Sequence, residues 1–421
     1  MNNVDGLSEQ NYGCIEAAAN QWVSATVNDS PGAECIPIRA ALLTNFIAPY
    51  FLPVLRVLTE SIKTFHVFVS TPMEEGRPWE SVWDGVDVTL QKSFTTRHSR
   101  RFKEGFSATF VRHFPYDTLP LLFRYRPDVI VSAQLGFRTI QAAIYRLLHR
   151  SCRLIIWADL SMHTEREIGR VQRTARLYLL GLADAVLVSG KSGFEYIQKL
   201  GVPEDRIFIA PYVTEMTPFQ AAPLTKDPRI AQRLLYVGQL IEGKGLDLFL
   251  RALVQWGEKN KDNNCEFWFV GDGPLRKHLE NYPTPPNISL RFFGNVPYNQ
   301  IHSYYASAVI FVFPTLSDTW GLVINEALAS GLPVLGSKYS QAVEEFVRDG
   351  ENGWTFFADD PAGVQNALEK AMSCPFPKLK EMSSASREIS RHLTPEHSAR
   401  CFLGAISAAS KSLKSDQGIR L

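Results

Sequence analysis

Short apolar runs divided by helical patterns recur through this chain in two successive series. In the first, Phe65–Ser70, Pro127–Ser132, Arg153–Trp157, Ala185–Ser189 and Ile207–Pro211 read as strands. Helices are predicted between them over Thr118–Tyr125, Thr139–His149, Thr164–Leu182 and Ser192–Leu200. In the second, strands are predicted at Arg233–Val237, Glu266–Val270, Leu290–Phe293, Val309–Phe313 and Leu332–Leu335. The intervening helices are Leu246–Trp256, Leu275–Asn281, Tyr298–Ala306 and Trp320–Ser330. This alternation indicates βα units and parallel sheets. The expected fold is α/β, with two doubly wound domains facing each other over a cleft, and ligands at the carboxyl ends of the strands.

The expected boundaries follow from composition. Residues 1–35 hold five acids and no Lys or Arg, and read as a disordered leader with no signal-peptide pattern. The first domain is expected over 36–213, a proline-containing linker over 214–230, the second domain over 231–395, and a C-terminal helix over 396–421 that packs back on the first domain. Lys and Arg total 44 against 43 Asp and Glu, which excludes a protein held to nucleic acid by bulk charge. No apolar run approaches the length of a membrane helix; the stretch at Ala308–Phe313 stops at Pro314. The six cysteines show no C-x-x-C spacing and no neighbouring His cluster, so free thiols in a reducing cytoplasm and no metal site are expected. One stretch is strongly basic. Residues 97–176 carry fifteen Lys and Arg against six Asp and Glu. It reads either as a solvated face or as an attraction to an anionic membrane or acceptor.

Four strand ends of the second series carry the chemistry. At Val237-Gly238-Gln239-Leu-Ile-Glu-Gly-Lys244-Gly245, a strand ends in glycine and a lysine stands before a helix, which suits a phosphate. Val270-Gly271-Asp-Gly-Pro274 lacks the third glycine of a dinucleotide loop and is a tight turn. At Phe293-Gly294-Asn295-Val296, the backbone N–H groups after the glycine suit a nucleobase edge. The fourth segment runs from Pro314 through Asp318 and Glu326 to Pro333. Its helix is apolar almost all round, so Glu326 is expected to be buried, where a ribose diol would supply the donors it needs. The N–H groups of Gly321, Leu322 and Val323 would face a diphosphate at the helix's positive end. Read alone, Lys244 reads first as a surface lysine, while Asp318 is equally a helix cap and Glu326 equally a structural carboxylate paired with arginine or backbone.

Taken together, these segments resemble the donor domain of the retaining GT-B glycosyltransferases of family 4 (glycosyl transferases group 1). The resemblance rests on two acids separated by seven residues, Asp318 and Glu326, followed by Ala327-Leu-Ala-Ser-Gly-Leu-Pro-Val334. It is supported by Val237–Asp247, Val270–Pro274 and Phe292–Val296, and it covers roughly residues 231–360. It implies that Lys244 contacts the donor diphosphate and Asp318 the donor sugar, with both acting in catalysis, and that Glu326 holds the ribose. Gly238, Gly271, Gly294, Asn295, Val296, Gly321, Leu322 and Val323 would complete the donor site. Two positions depart from the family pattern. Asp318 stands where Glu is usual, and Gln239 where an Arg commonly meets the diphosphate, so a compensating basic residue is expected. On the acceptor side, Asp159 and His163 are candidates.

The resemblance implies transfer of a hexosyl unit from a nucleotide-diphosphate sugar to a hydroxyl of a glycan or lipid-linked acceptor, in polysaccharide or glycolipid biosynthesis. It implies no cofactor and no metal. With the free thiols and the basic stretch, the expectation is a cytoplasmic enzyme, with the second reading of that stretch placing it peripherally at the inner face of the membrane. A sugar-nucleotide epimerase, a phosphorylase-like enzyme and an inactive nucleotide-sugar-binding protein are the alternatives.

Overall fold

The computed structural model describes residues 35–417 except 75–80, 82, 102–106, 166–168 and 224–231. The predicted leader therefore lies outside the described residues apart from Cys35. The first domain contains strands β1 (Ile36–Thr44), β2 (Ile62–Val69), β3 (Val88–Leu90), β4 (Ser93–Arg101), β5 (Ser107–Pro115), β6 (Val129–Ala133), β7 (Arg153–Trp157), β8 (Ala185–Val188) and β9 (Ile207–Ile209). Its helices are α1 (Leu52–Ser61), α2 (Thr118–Tyr125), α3 (Phe137–Leu148), α4 (Arg170–Gly181) and α5 (Lys191–Lys199). Seven strands form one parallel sheet in the order β3-β2-β1-β6-β7-β8-β9, and β4 and β5 pair separately as an antiparallel ribbon. Helices α2 to α5 pack on one face of the sheet through Leu122, Ala142, Leu180 and Ile197.

A short helix, α6 (Thr217–Gln220), follows β9. It falls within the expected linker, yet Met216 and Phe219 are buried in the core of the second domain. Residues 224–230 of that linker lie outside the described residues.

The second domain has β10 (Arg233–Val237), α7 (Leu246–Lys259), β11 (Cys265–Val270), α8 (Arg276–Glu280), β12 (Ile288–Gly294), α9 (Tyr298–Ser307), β13 (Ile310–Phe313), α10 (Leu322–Ala329), β14 (Val334–Ser337), α11 (Gln341–Phe346) and β15 (Gly353–Phe356). Its parallel sheet runs β12-β11-β10-β13-β14-β15. Chain order reverses between β10 and β13. In open sheets of this kind ligands bind at such a reversal point, outside the carboxyl ends of the strands. Helices α12 (Pro361–Met372) and α13 (Phe376–Ser390) complete this domain. The last helix, α14 (Pro395–Gln417), crosses back to the first domain and buries Phe402, Ala405 and Ile406 beside α1 and β7.

Candidate active site

The loops after β10 and β13 meet at the reversal point, and glycines let them do so. Gly245 has φ +65°, and a Cβ there would lie 2.1 Å from the Pro314 carbonyl oxygen. The loop carrying Lys244 is thus pressed on the loop carrying Asp318. Lys244 Nζ and Asp318 Oδ2 form an ion pair, and Lys244 Nζ also lies 5.3 Å from the centre of the Phe313 ring. The other carboxylate oxygen of Asp318 accepts from Trp320 N at 3.1 Å, a turn-forming bond typical of aspartate. The two catalytic candidates of the donor side are therefore in direct contact.

Here the structure corrects the helix expected at Trp320–Ser330. Gly321 adopts φ +92°, and α10 begins only at Leu322. A Cβ on Gly321 would meet Ser340 Oγ at 2.6 Å and the Phe313 ring at 3.0 Å. Asp318 and Trp320 belong to the loop, so the path from Asp318 to Glu326 is not a continuous helix. No side chain caps the first turn of α10, and Leu322 and Val323 keep partial exposure. The orphan N–H groups of that turn follow directly on the loop whose Asp318 pairs with Lys244.

Glu326 is 3% exposed, as a carboxylate within an apolar helix should be. Its protein partners are phenols, in place of the arginine or backbone groups that a structural carboxylate would take. The Tyr305 hydroxyl donates to Oε2 at 2.7 Å and the Tyr298 hydroxyl to Oε1 at 3.2 Å. Burial pushes this carboxyl up to about 7, and the two phenols pull it back only part of the way. Tyr298 bridges onward to Thr214 at 3.2 Å and keeps an exposed ring. The two tyrosines lie 21 and 28 residues away, a separation no local sequence signal reports.

Gly238, Gly271 and Gly294 stack at the carboxyl ends of β10, β11 and β12. Gly238 N donates to Val270 O at 2.9 Å and Gly271 N to Gly294 O at 2.8 Å. A Cβ on Gly271 would lie 2.0 Å from Gly238 O, so the tight turn requires glycine. Asn295 and Val296 follow on the same rim, Asn295 exposed and Val296 packed against the core. Gln239 is exposed. The guanidinium of Arg276 comes within 3.1 Å of the Cβ position of Gly294, while pairing with Asp272 and Glu280.

The first domain supplies the opposite wall. Asp159 follows β7, and its Oδ1 is sealed from solvent without a hydrogen bond. Burial, and then the charge of Asp318, pushes its carboxyl up to about 7; the Ser189 and Tyr212 hydroxyls counter this only in part. Trp157 Nε1 and Trp320 Nε1 are likewise buried without partners. Ring contacts join this group, with Tyr212 5.3 Å from Trp157 and 6.4 Å from Trp320. Unpaired polar atoms gathered at one place in a cleft suit a polyhydroxyl ligand. His163 instead reaches across the cleft, its Nε2 2.8 Å from Glu344 Oε1. Neighbouring contacts also bridge the domains. Gln341 accepts from Gly193 N at 3.0 Å, Glu345 accepts from Lys191 N, and Asn325 donates to Tyr212 O at 2.8 Å. The amino end of α5 is thus capped by side chains of α11.

Residues 231–374 match the family described as glycosyl transferases group 1. Among curated proteins, the chain is 29% identical over 137 residues to the sulfoquinovosyl transferase SQD2 of Arabidopsis thaliana, covering 32% of this chain and 25% of that one. It is 28% identical over 148 residues to the lipopolysaccharide core biosynthesis glycosyltransferase LpsE of Rhizobium meliloti, covering 35% and 41%. The chain thus spans a quarter to two fifths of the length of these relatives. The solved structure of Anabaena HepE in complex with UDP and glucose superposes with a TM-score of 0.60 at 14% identity, over 88% of this chain and 99% of that one. That likeness extends over both domains and is one of GT-B fold. The family match lies in the second domain, residues 231–374, and it is over this stretch that the chain is similar to the group 1 glycosyl transferases.

Proposed function

We propose that the chain moves a sugar from a nucleotide-diphosphate donor to a hydroxyl of a glycan or lipid-linked acceptor, with retention at the anomeric carbon. The observation that carries this reading is the ion pair of Lys244 with Asp318, in the loop that runs into the uncapped amino end of α10, at the reversal point of the second sheet. A diphosphate there exchanges for Asp318 on Lys244 and draws on the helix's orphan N–H groups. Asp318, released from the lysine, turns to the sugar hydroxyls. Glu326 retains a lone pair on each oxygen for the ribose, with Tyr298 and Tyr305 holding it in place. Gly294, Asn295 and Val296 line the base.

In the transfer, the bond from the anomeric carbon to the diphosphate breaks and the leaving group keeps the electron pair. The acceptor oxygen bonds to that carbon from the same face, and its proton passes to a phosphate oxygen of the departing group. Positive potential from Lys244 and α10 stabilises the charge that develops there, in the role a metal ion plays in other transferases. Asp159 and the unpaired polar atoms beside it bind hydroxyls on the opposite wall, and the contacts between α11 and α5 hold the cleft closed against water. The name of the Rhizobium relative, a lipopolysaccharide core biosynthesis glycosyltransferase, supports a glycolipid acceptor. Such an acceptor brings the enzyme to a membrane surface on the cytoplasmic side.

A thermal-shift panel of UDP-, GDP-, ADP- and dTDP-sugars tests the donor site. One nucleotide-sugar should raise the Tm of the wild type and leave Glu326→Ala unmoved. Full binding by Glu326→Ala would show that the ribose lies elsewhere.

A further inference from the structure

The outer side of the first domain carries an apolar face that the described chain leaves uncovered. Helix α3 touches α2 and α4 in the layer over the sheet, and the β4–β5 ribbon continues that layer beside it. On α3, Phe137, Ile140, Ile144, Leu147 and Leu148 are all exposed, Leu148 to 63%. At helical spacing they fall within an arc of about 100°. Thr139, Ala142 and Ala143, on the opposite side, are buried. A helix that turns an aliphatic stripe to water while already packed on a sheet has a second apolar surface to satisfy. The stripe continues past the amino end of the helix. The Phe137 ring is 6.0 Å from Phe114, which stacks at 4.9 Å on exposed Phe94 of the ribbon. On α4, Val171 is 86% and Tyr178 67% exposed.

The elements that build this face carry charge of one sign. Strands β4 and β5 and helices α2, α3 and α4 contain ten arginines and no Asp or Glu. Three of these arginines serve the interior: Arg138 is buried, Arg146 pairs with Asp184, and Arg176 with Glu165. Arg101, Arg112, Arg124, Arg170 and Arg173 are exposed.

We propose that this face docks on an anionic lipid bilayer, with α3 lying along the surface, its stripe at the headgroup–acyl boundary and the arginines among the headgroups. Exposed arginines spread over four of these elements fit a uniformly anionic sheet. A second copy of this chain fits poorly, because a two-fold contact through the same patch sets arginines against arginines. Among the described residues no helix is long and apolar enough to cross a membrane, so the attachment is to the surface. The Phe137 end of α3 follows the carboxyl end of β6, so the face runs up to the edge of the cleft.

Sedimentation of the full-length protein with vesicles tests this. The protein should pellet with phosphatidylcholine vesicles containing about a third phosphatidylglycerol, remain free with phosphatidylcholine alone, and be released by salt. Arg170→Ser with Arg173→Ser should weaken binding roughly fivefold per arginine, about twenty-five-fold for the pair. Ile144→Glu with Leu148→Glu should abolish it. The arginine pair, wholly at the surface, keeps the test valid if the glutamates disturb the helix. Failure of the wild type to bind anionic vesicles, or unchanged binding in both double variants, overturns the proposal. So does a dimer in light scattering that the glutamate variant dissolves, which would give the face to a second copy. Neither pair touches the donor loops, so the thermal shift with nucleotide-sugar should be kept, and failure of the donor reading remains a separate result.

Discussion

Asp159 of the first domain and Asp318 of the second confront each other across the cleft. Burial, and behind it the charge of Asp318, pushes the Asp159 carboxyl up to about 7. Each residue stands just past the carboxyl end of a parallel strand, β7 or β13, so the pair marks where the two sheet edges meet. Asp318 is balanced by Lys244, whereas Asp159 Oδ1 has no hydrogen bond. The first wall is thus the side that holds an uncompensated acid ready for a ligand's hydroxyls.

That acid makes stability depend on pH in a defined direction. In the unfolded chain an aspartate loses its proton near 3.9. In the fold Asp159 keeps its proton to about 7. Between these values the folded state binds more protons, so this group's contribution falls as pH rises and levels off above about 7. Asp159→Asn removes the penalty. Its advantage over the wild type should be near zero at pH 4 and grow to a plateau of a few kcal/mol, at most roughly 4, above pH 7. Urea unfolding of both proteins at pH 5 and pH 8 measures this. An advantage that shrinks as pH rises contradicts the account.

Lys244→Ala should lower turnover about 100-fold or more, the usual loss when one preorganised positive donor is taken from a developing charge. It should also cost roughly 1–3 kcal/mol of stability, because Asp318 is left partly buried without its cation. Adding Asp318→Asn to Lys244→Ala should restore most of that stability and none of the activity. If stability and activity return together, the lysine acts only through the fold.

Where the two sheets lie is legible in the sequence because their strands are continuous apolar runs. Arg153–Trp157 and Arg233–Val237 have the same bounds in sequence and structure. The start of α10 differs by two residues from the sequence reading, since periodicity cannot show that Gly321 takes a left-handed conformation against Ser340 and Phe313. The β4–β5 ribbon is not legible because β4 is polar, basic and mostly exposed, so no apolar alternation marks it. The apolar stripe of α3 is hidden for a different reason. Its residues have the spacing of a core-facing helix, and only the structure shows that the sheet takes the opposite side. The Tyr298 and Tyr305 donors to Glu326 depend on how α9 packs beside α10, which is tertiary information.

Those tyrosines provide a test that separates holding Glu326 from binding with it. Tyr305→Phe removes a buried donor from a buried carboxylate and should cost about 1–3 kcal/mol. In the Glu326→Gln background the same change should cost clearly less, since a neutral amide needs the phenol less than a carboxylate does. A double-mutant cycle by thermal unfolding reads this coupling, which should exceed about 0.5 kcal/mol. Additive effects would mean that Tyr305 stabilises α9 by packing alone.

The contacts between α11 and α5 give a prediction about closure. Gln341 accepts from Gly193 N while its amide donates to Thr319 O at 2.6 Å, so one side chain ties the amino end of α5 to the loop between Asp318 and α10. Glu345 caps the neighbouring Lys191 N–H, and the Cβ position of Gly190 comes within 2.9 Å of its carboxylate. Gln341→Ala with Glu345→Ala leaves these N–H groups to water, which reaches them only when the domains part. The double variant should therefore favour the open form. Its radius of gyration by X-ray scattering should rise above the wild-type value, and saturating donor should restore it. Turnover should fall through a higher KM for the donor while kcat changes less, because closure is needed to assemble the site but Lys244 and α10 remain intact. A variant as compact as the wild type without ligand would show that the α14 crossing and the Asn325–Tyr212 contact hold the domains together on their own.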